Sequence, residues 1–258
     1  MARVFITGSS DGLGRNAAKL LVELGHEVVL HARNEDRARE AAAAVPGAER
    51  TLIGDFASLA AVKRLAAKAN ELGSFDAVIH NAAVGYREKR RLTSQDGFSH
   101  VLAINTLAPY ALVALMHPPK RLVFVSSELH RRGRVDLADF DWERRPWNGT
   151  QAYSDTKLHD AMLAFALARR WPSTLSNAME PGWVATKMGG ARATGDLDAA
   201  HRTQVWLAVD NQQAATVTGG YFFHRQSRLA SNAARDTALQ DGLIAACERL
   251  TGIALPSS

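Results

Sequence analysis

The chain has a single cysteine, Cys247, which excludes an internal disulfide and fits a reducing compartment. It lacks any run approaching the roughly 18–20 consecutive apolar residues of a membrane span. Its N-terminus has no apolar signal core ahead of a small-residue cleavage site, because Val4, Phe5 and Ile6 run directly into a glycine-rich turn. No membrane span and a cytoplasmic location are therefore expected. The nine histidines show no ligand spacing, so no metal is expected, and His26, His31 and His80 read as strand-edge residues. Charge is not scarce but leans one way, to a formal +5, with basic clusters at Arg87, Lys89, Arg90 and Arg91 and at Arg131, Arg132 and Arg134. Without interleaved stacking aromatics or a docking motif, these clusters speak against a nucleic-acid partner. They read as solvated loops, or as positive potential that draws in a polyanionic ligand. No repeat, low-complexity tract or linker divides the sequence, so residues 1–258 are expected to form one domain.

What is present is a regular alternation. Short apolar runs at Val4 to Ile6, Val28 to Leu30, Leu52–Ile53, Ala77 to Ile79, Leu122 to Val125, 174–179 and Tyr221 to Phe223 read as buried strands. Between them lie helical stretches, among them Leu13 to Leu24, 36–44, 58–72 and 152–170. Such alternation implies right-handed βαβ crossovers, and hence an α/β Rossmann fold: a doubly wound parallel sheet of about seven strands flanked by helices. Ligands of such sheets sit beyond the carboxyl ends of the strands. Gly8, Ala32–Arg33, Asp55, Asn81, Ser127 and Pro181–Gly182 all fall at those ends.

The segment Thr7-Gly8-Ser9-Ser10-Asp11-Gly12-Leu13-Gly14 joins the first strand to the first helix. Gly8 permits a sharp turn, Gly12 lets a pyrophosphate approach the backbone, and Gly14 allows the helix to pack closely on the strand. Gly8, Ser10, Gly12, Leu13 and Gly14 are thus the expected cofactor-contacting positions, joined by Asn81 at the end of the fourth strand. An enzyme that uses NAD commonly carries a carboxylate after the second strand. Here Ala32 and Arg33 stand there, and a guanidinium can pair with a 2′-phosphate, so NADP(H) is expected. Asp11 adds negative charge to the same region and works against that preference. Asp55 either accepts a hydrogen bond from the adenine amino group or caps the helix that follows.

Tyr153 and Lys157 lie four residues apart on one helix face. A free phenol has a pKa of about 10 and is a poor base at neutral pH, and a neighbouring ammonium favours its phenolate. Tyr153 can then exchange a proton with a substrate oxygen while a nicotinamide exchanges a hydride, and Lys157 can bond the nicotinamide ribose. Ser127 can hold the substrate oxygen, with Ser126 as the alternative. Asn105, in mid-helix, can kink its helix and hold a water in a proton relay to Lys157. Pro181, Gly182, Val184 and Thr186 can wrap the nicotinamide. Beyond them, Gly189, Gly190 and Gly195 suggest a mobile stretch within a substrate loop near 183–205. Trp142, Trp147, Trp183 and Trp206 either line an apolar pocket or belong to the core.

These residues, in this order, resemble the short-chain dehydrogenase/reductase family from Arg3 to about Gly252. The resemblance implies Asn105, Ser127, Tyr153 and Lys157 as the catalytic group and a small-molecule carbonyl or alcohol as substrate. The interval from Ser127 to Tyr153 is 26 positions, about twice that common in the family, and it resembles the retinol dehydrogenase and WW-domain oxidoreductase branch, as does Thr218-Gly219-Gly220-Tyr221-Phe222. Ala83 stands where the family has glycine. His117-Pro118-Pro119 ends early a helix that often builds the family's dimer interface, which leaves the homo-oligomer open. Two other readings remain: a non-catalytic NADP(H)-binding regulatory or interaction protein on the same scaffold, and a sugar-nucleotide epimerase. Epimerases carry a larger C-terminal substrate domain than the roughly 70 residues after Thr186.

Overall fold

The computed structural model describes residues 1–257, and in it the apolar runs become strands of one continuous sheet. The chain order is β1 (Arg3–Ile6), α1 (Gly12–Glu23), β2 (Glu27–Ala32), α2 (Glu35–Ala44), β3 (Arg50–Ile53), α3 (Leu59–Glu71), β4 (Ala77–His80), α4 (His100–Leu102), a π-helical turn (Ala103–Leu107) and α5 (Ala108–Leu115). There follow β5 (Arg121–Val125), a 3-10 turn (Glu128–Arg132), α6 (Gly149–Arg170), β6 (Leu175–Glu180), α7 (Leu197–Ala200), α8 (Arg202–Val209), β7 (Tyr221–Phe223), β8 (Gln226–Arg228), α9 (Asn232–Arg235) and α10 (Thr237–Thr251).

The strand order is β3-β2-β1-β4-β5-β6-β7-β8, parallel except for the last pair. The sheet therefore has eight strands rather than about seven. β8 escapes the sequence pattern because Gln226, Ser227 and Arg228 are polar and exposed, and an antiparallel edge strand needs no apolar face. Both faces of the other strands are buried. Phe5, Val29, Val78, Leu122 and Phe124 point into one core, with residues of α3, α5, α6 and α10. Val4, Ile6, Val28, Leu30, Ile79 and Val123 point into the other, with residues of α1 and α8. Alternate residues of one strand serving two cores is the mark of a sheet sandwiched between helix layers.

The order reverses direction between β1 and β4, so a crevice opens at their carboxyl ends. The chain closes tightly there. The Thr7 hydroxyl accepts from the backbone N–H groups of Asn81 and Ala82, each at 3.0 Å. Asn81 Nδ2 donates to the carbonyls of Thr7 (3.0 Å) and Gly8 (3.2 Å). A Cβ on Gly14 would lie 2.4 Å from Asn81 Nδ2 and 2.5 Å from Gly8 O, so helix α1 can sit here only with glycine at that position.

α6 is enclosed along most of its length, from Ala152 to Leu167, by β5, β6, the 3-10 turn, α9 and α10. α5 is buried from Ala108 to Ala114, and the Tyr110 hydroxyl donates to the carbonyl of Ile253 in the C-terminal tail. The long interval before α6 is an ordered loop. Asp139 accepts from the backbone N–H groups of Glu143, Arg144 and Arg145, the Arg145 guanidinium stacks 3.7 Å from the Trp142 ring centroid, and Asp155 of α6 accepts from Arg134 N. Trp142 and Trp206 thus belong to the core. Trp147 is anchored by donation from its indole to Glu88 O.

Gly14→Ala should lower the free energy of unfolding by about 1–3 kcal/mol, the usual penalty of overpacking a tight contact. Urea denaturation measures this, and a loss below about 0.5 kcal/mol would mean that the turn opens freely.

Candidate functional site

The glycine turn takes its shape from positive φ at Gly8 (+65°) and Gly12 (+51°), where a side chain would be strained. A Cβ on Gly8 would lie 2.7 Å from Ala82 Cα, and one on Gly12 would meet the Thr186 methyl at 3.7 Å. The turn is therefore a bare backbone concavity between β4 and the loop after β6, at the N-terminus of the twelve-residue helix α1. A buried histidine holds it in place. His31 Nδ1 accepts from Gly8 N–H at 2.9 Å and Nε2 lies 2.8 Å from Gly54 O, which fixes the neutral Nε2–H tautomer. The strand-edge reading of His31 missed this link between β1, β2 and β3, because it depends on strand neighbours distant in sequence.

Basic residues surround the far side of the turn. Arg33 is exposed after β2. Arg37, one helical turn later in α2, reaches Ser10 Oγ (3.2 Å) and Asp11 Oδ2 (3.3 Å). Lys187 Nζ lies 2.5 Å from Asp11 Oδ2, and Arg15 is 3.9 Å from its other oxygen. The negative charge of Asp11 that weighed against a 2′-phosphate is thus neutralised by three cations. Partial burial pushes the Asp11 pKa up, but hydrogen bonds from Lys187 and Gly12 N with the nearby cationic charges bring it below the usual carboxylate value. Arg37 and Lys187 were not read from the sequence. The signal for Arg37 was its i,i+4 spacing from Arg33.

Asp55 accepts from Ala57 N at 3.0 Å, and the N-cap of α3 is Ser58 instead, so the capping alternative for Asp55 is corrected. Asn81 uses its amide to stitch the glycine turn. The loop after β6 lies folded down over the turn. Val184 is buried and pairs with Gly195, Thr186 Oγ1 accepts from Gly189 N, and Arg87 and the Trp183 indole both donate to Gly189 O. A Cβ on Gly189 would lie 2.0 Å from Val184 O. Gly189 and Gly195 therefore serve close packing, and α7 with the start of α8 forms the second half of the 183–205 segment.

At the carboxyl end of β5, Ser126 and Ser127 divide their roles. Ser126 Oγ is buried and donates to Lys157 O at 2.7 Å. Ser127 is half-buried, caps the 3-10 turn by accepting from Leu129 N, and sits near enough to the Tyr153 phenol to pull its pKa down. Tyr153 and Lys157 share the enclosed face of α6, with Nζ 5.6 Å from the phenol ring centroid. Lys157 Nζ donates to Val125 O and to Asp160 Oδ2, both at 2.8 Å. Tyr86, from the loop after β4, meets the Tyr153 ring edge-on at 5.7 Å. Asn105 lies in the π-helical turn, where its Oδ1 accepts from Val84 N and its Nδ2 donates to Val84 O and Thr156 Oγ1. Its side chain thus clamps the loop after β4 to α6.

Lys157 pulls the phenol toward acidity as the helix spacing implies, but burial outweighs it. Burial raises the Tyr153 pKa, and it stays above its ordinary value although Lys157 and Ser127 pull it down, with Asp160 pushing it further up. Asp160 was not read as part of the site, although its i,i+3 position from Lys157 was visible.

The family model of short chain dehydrogenases matches residues 2–196. An uncharacterized oxidoreductase of Emericella nidulans is 46% identical over 99% of both chains. A Streptomyces protein named as a daunorubicin C-13 ketoreductase is 33% identical over 92% of this chain and 88% of its own. Human retinol dehydrogenase 13 is 28% identical over 98% of this chain and 86% of its own, in keeping with the branch that the long Ser127–Tyr153 interval resembles. A crystal structure of an uncharacterized protein from Mycobacterium paratuberculosis superimposes with a TM-score of 0.86 at 26% identity, covering 99% of this chain and 95% of that one. None of the helices among the described residues is long and apolar enough to cross a membrane.

His31 makes the glycine turn sensitive to acid. Burial depresses its pKa from 6.5 to about 4, so its contribution to stability is complete above pH 6.5 and is lost as the pH falls through about 4. His80 and His159 act in the same direction, each held down at about 3. Urea unfolding between pH 7 and pH 4.5 should show falling stability, with His31→Gln flatter by up to one proton, about 1.4 kcal/mol per pH unit. Identical slopes would exclude a buried neutral imidazole at this position.

Proposed function

The chain belongs to the short-chain dehydrogenase family, and on that premise we propose that it interconverts a small-molecule carbonyl and its alcohol with NADP(H), using Tyr153 as the general acid and base. The observation that carries the reading is the grouping of Tyr153 with Lys157, whose Nζ lies 5.6 Å from the phenol ring centroid, and with Ser127 at the end of β5, the same end of the sheet as the bare glycine turn.

The residues fit the cofactor on three counts. Gly8 and Gly12 leave backbone where side chains would block a pyrophosphate. Ser10, Arg33 and Arg37, a hydroxyl and two guanidiniums beside the glycine turn and the end of β2, support a 2′-phosphate as the ligand there. Leu13, Asp55, Asn81, Pro181, Gly182, Val184 and Thr186 complete the rim from the ends of four strands, β1, β3, β4 and β6. The bound nicotinamide supplies or takes up the hydride. In reduction, Ser127 would hydrogen-bond the carbonyl oxygen, and Tyr153 would transfer its hydroxyl proton to that oxygen as the carbon gains hydride, so one hydride and one proton turn the carbonyl into an alcohol. In oxidation, the Tyr153 phenolate takes the proton back. Lys157 orients the phenol and the ribose, and Asn105 fixes the wall between the loop after β4 and α6.

The ketoreductase name of the Streptomyces relative and the aromatic edge of Tyr86 favour ketones among the possible substrates. The covering of α5 and α6 by the chain's own C-terminal helix and tail favours a monomer, since the family's helical dimer face is occupied from within.

NADPH oxidation against a panel of aldehydes, ketones and quinones tests the reading. Tyr153→Phe should cut turnover by about 10²-fold or more while NADPH still binds, and comparable turnover would remove Tyr153 from its role. Arg33→Ala combined with Arg37→Ala should weaken NADPH by about tenfold or more, roughly 1.4 kcal/mol, and leave NADH unchanged. Equal losses for both cofactors would reject NADP(H) selection by these guanidiniums. Light scattering should return a mass near 27.9 kDa, and a dimer would reject the monomer.

A further inference from the structure

Lys157 is the residue on which the proposed chemistry leans for positive charge, yet its ammonium is not free to supply it. Nζ has three hydrogens. One goes to the carbonyl of Val125 on β5 and one to Asp160 Oδ2, each at 2.8 Å, and both side chains of the ion pair are 4% exposed. A carboxylate buried this far is retained only if it is paired, and the sole charge acting on it is Lys157. The pair is closed within one turn of α6, three residues apart.

We infer that Asp160 is a positioning residue of the reaction proposed above: by holding Lys157 Nζ in a closed ion pair it withholds ammonium charge from the Tyr153 hydroxyl and so suits the site to give a proton to a carbonyl oxygen. The inference rests on the proposed reading of Tyr153 as the proton donor. The groups that bear on the phenol are Lys157 and Asp160 from α6, Ser127 from the end of β5 and Tyr86 from the loop after β4. The neighbouring groups leave this balance undisturbed. His159, beside Asp160 in sequence, is neutral through burial and bonds Thr106 in the π-helical turn. Glu180, at the end of β6, faces Glu128 and Tyr221.

The electrostatic sense is definite. An uncompensated ammonium stabilises phenolate. A carboxylate against that ammonium restores the neutral phenol, the form that reduction consumes. Burial and Asp160 both raise the phenol's pKa, and Lys157 is itself held charged by the same carboxylate. Tyr153 therefore stays protonated to higher pH, and carbonyl reduction persists into the alkaline range. Alcohol oxidation, which needs phenolate, begins only there. The overall equilibrium is untouched, because a residue that leaves reactants and products unchanged shifts only the pH range of each direction.

Asp160→Asn keeps the shape and an acceptor for Nζ but removes the charge. The alkaline limb of kcat for reduction and the acidic limb for oxidation should both move to lower pH by about one unit, a tenfold change in the phenolate ratio. The same shift should appear without turnover in the ultraviolet titration of Tyr153, taken as the difference between the protein and its Tyr153→Phe variant, with and without Asp160→Asn. Asp160→Ala, a second charge-free replacement, must shift the titration in the same direction. Unmoved limbs with an unmoved titration would overturn the inference while leaving the proposed function standing. Failure of both replacements to fold, checked by circular dichroism, would make the carboxylate a packing requirement and overturn it too. If the parent oxidises NADPH with no carbonyl, the proposed function falls, and the titration still decides whether Asp160 governs the phenol.

Discussion

Helix α1 can approach the carboxyl end of β1 only because nothing projects from Gly14, and this close approach sets the geometry of the site. With Gly14 seated against Gly8 O, Asn81 reaches across from β4 to hold two carbonyls of the turn, and Thr7 holds two amides of β4 in return. The two strands that flank the reversal of strand order are thereby locked at their ends. The crevice there is a fixed cradle, and its floor is backbone. A helix one ångström further out would leave the amide of Asn81 without its partners and separate the glycine turn from the loop after β6, which meets it through Thr186 and Gly12. The shape of the glycine turn and of the crevice beside it thus depends on this contact.

A second constraint governs the other half of the site. α6 is buried on nearly all sides, an unusual setting for a helix that carries a tyrosine, a lysine and two aspartates. Each polar group on it needs a partner inside the protein, since unpaired polar atoms are costly in a dry interior. Asp155 finds Arg134 N and Gln151, Ser126 finds Lys157 O, Thr156 donates to Tyr153 O and receives from Asn105, and Lys157 finds Val125 O and Asp160. Each bond fixes one neighbouring segment, so the satisfaction of buried groups also aligns β5, the π-helical turn and the long loop before α6 around Tyr153.

The parts of this arrangement that could be read in the sequence are those written locally. A glycine in a turn, a Pro–Gly after a strand, and a tyrosine and lysine at i and i+4 carry their geometry in their spacing, and the parallel sheet followed from short apolar runs between helices. What escaped was written across the fold. His31 matters because β1 and β3 flank β2, and Arg37 because α2 returns toward the glycine turn. Asp139 organises the long loop through the amides of Glu143 to Arg145, and Asp141 ties it to Arg91 and to Ser99 N, before α4. β8 escaped for the opposite reason, since an exposed polar strand has no pattern to detect. Asp160 is a different case. Its spacing from Lys157 is visible in the sequence, but an acid and a base at i,i+3 usually share an exposed helix face, and only the burial of α6 makes this pair consequential.

The balance of burial and charge at Tyr153 joins these threads. Sequence reasoning gives the ammonium the deciding vote because it counts charges along one helix face. The folded chain adds two effects which that count omits: a low-polarity enclosure that disfavours phenolate, and a carboxylate that engages the ammonium first. Both follow from the same packing that makes α6 a buried helix, because a lysine enclosed between α6 and the end of β5 requires a counterion, and a counterion within reach weakens its pull on the phenol. The proton affinity of Tyr153 is therefore a property of how α6 is covered, and a relative that left this helix open to solvent would need no Asp160.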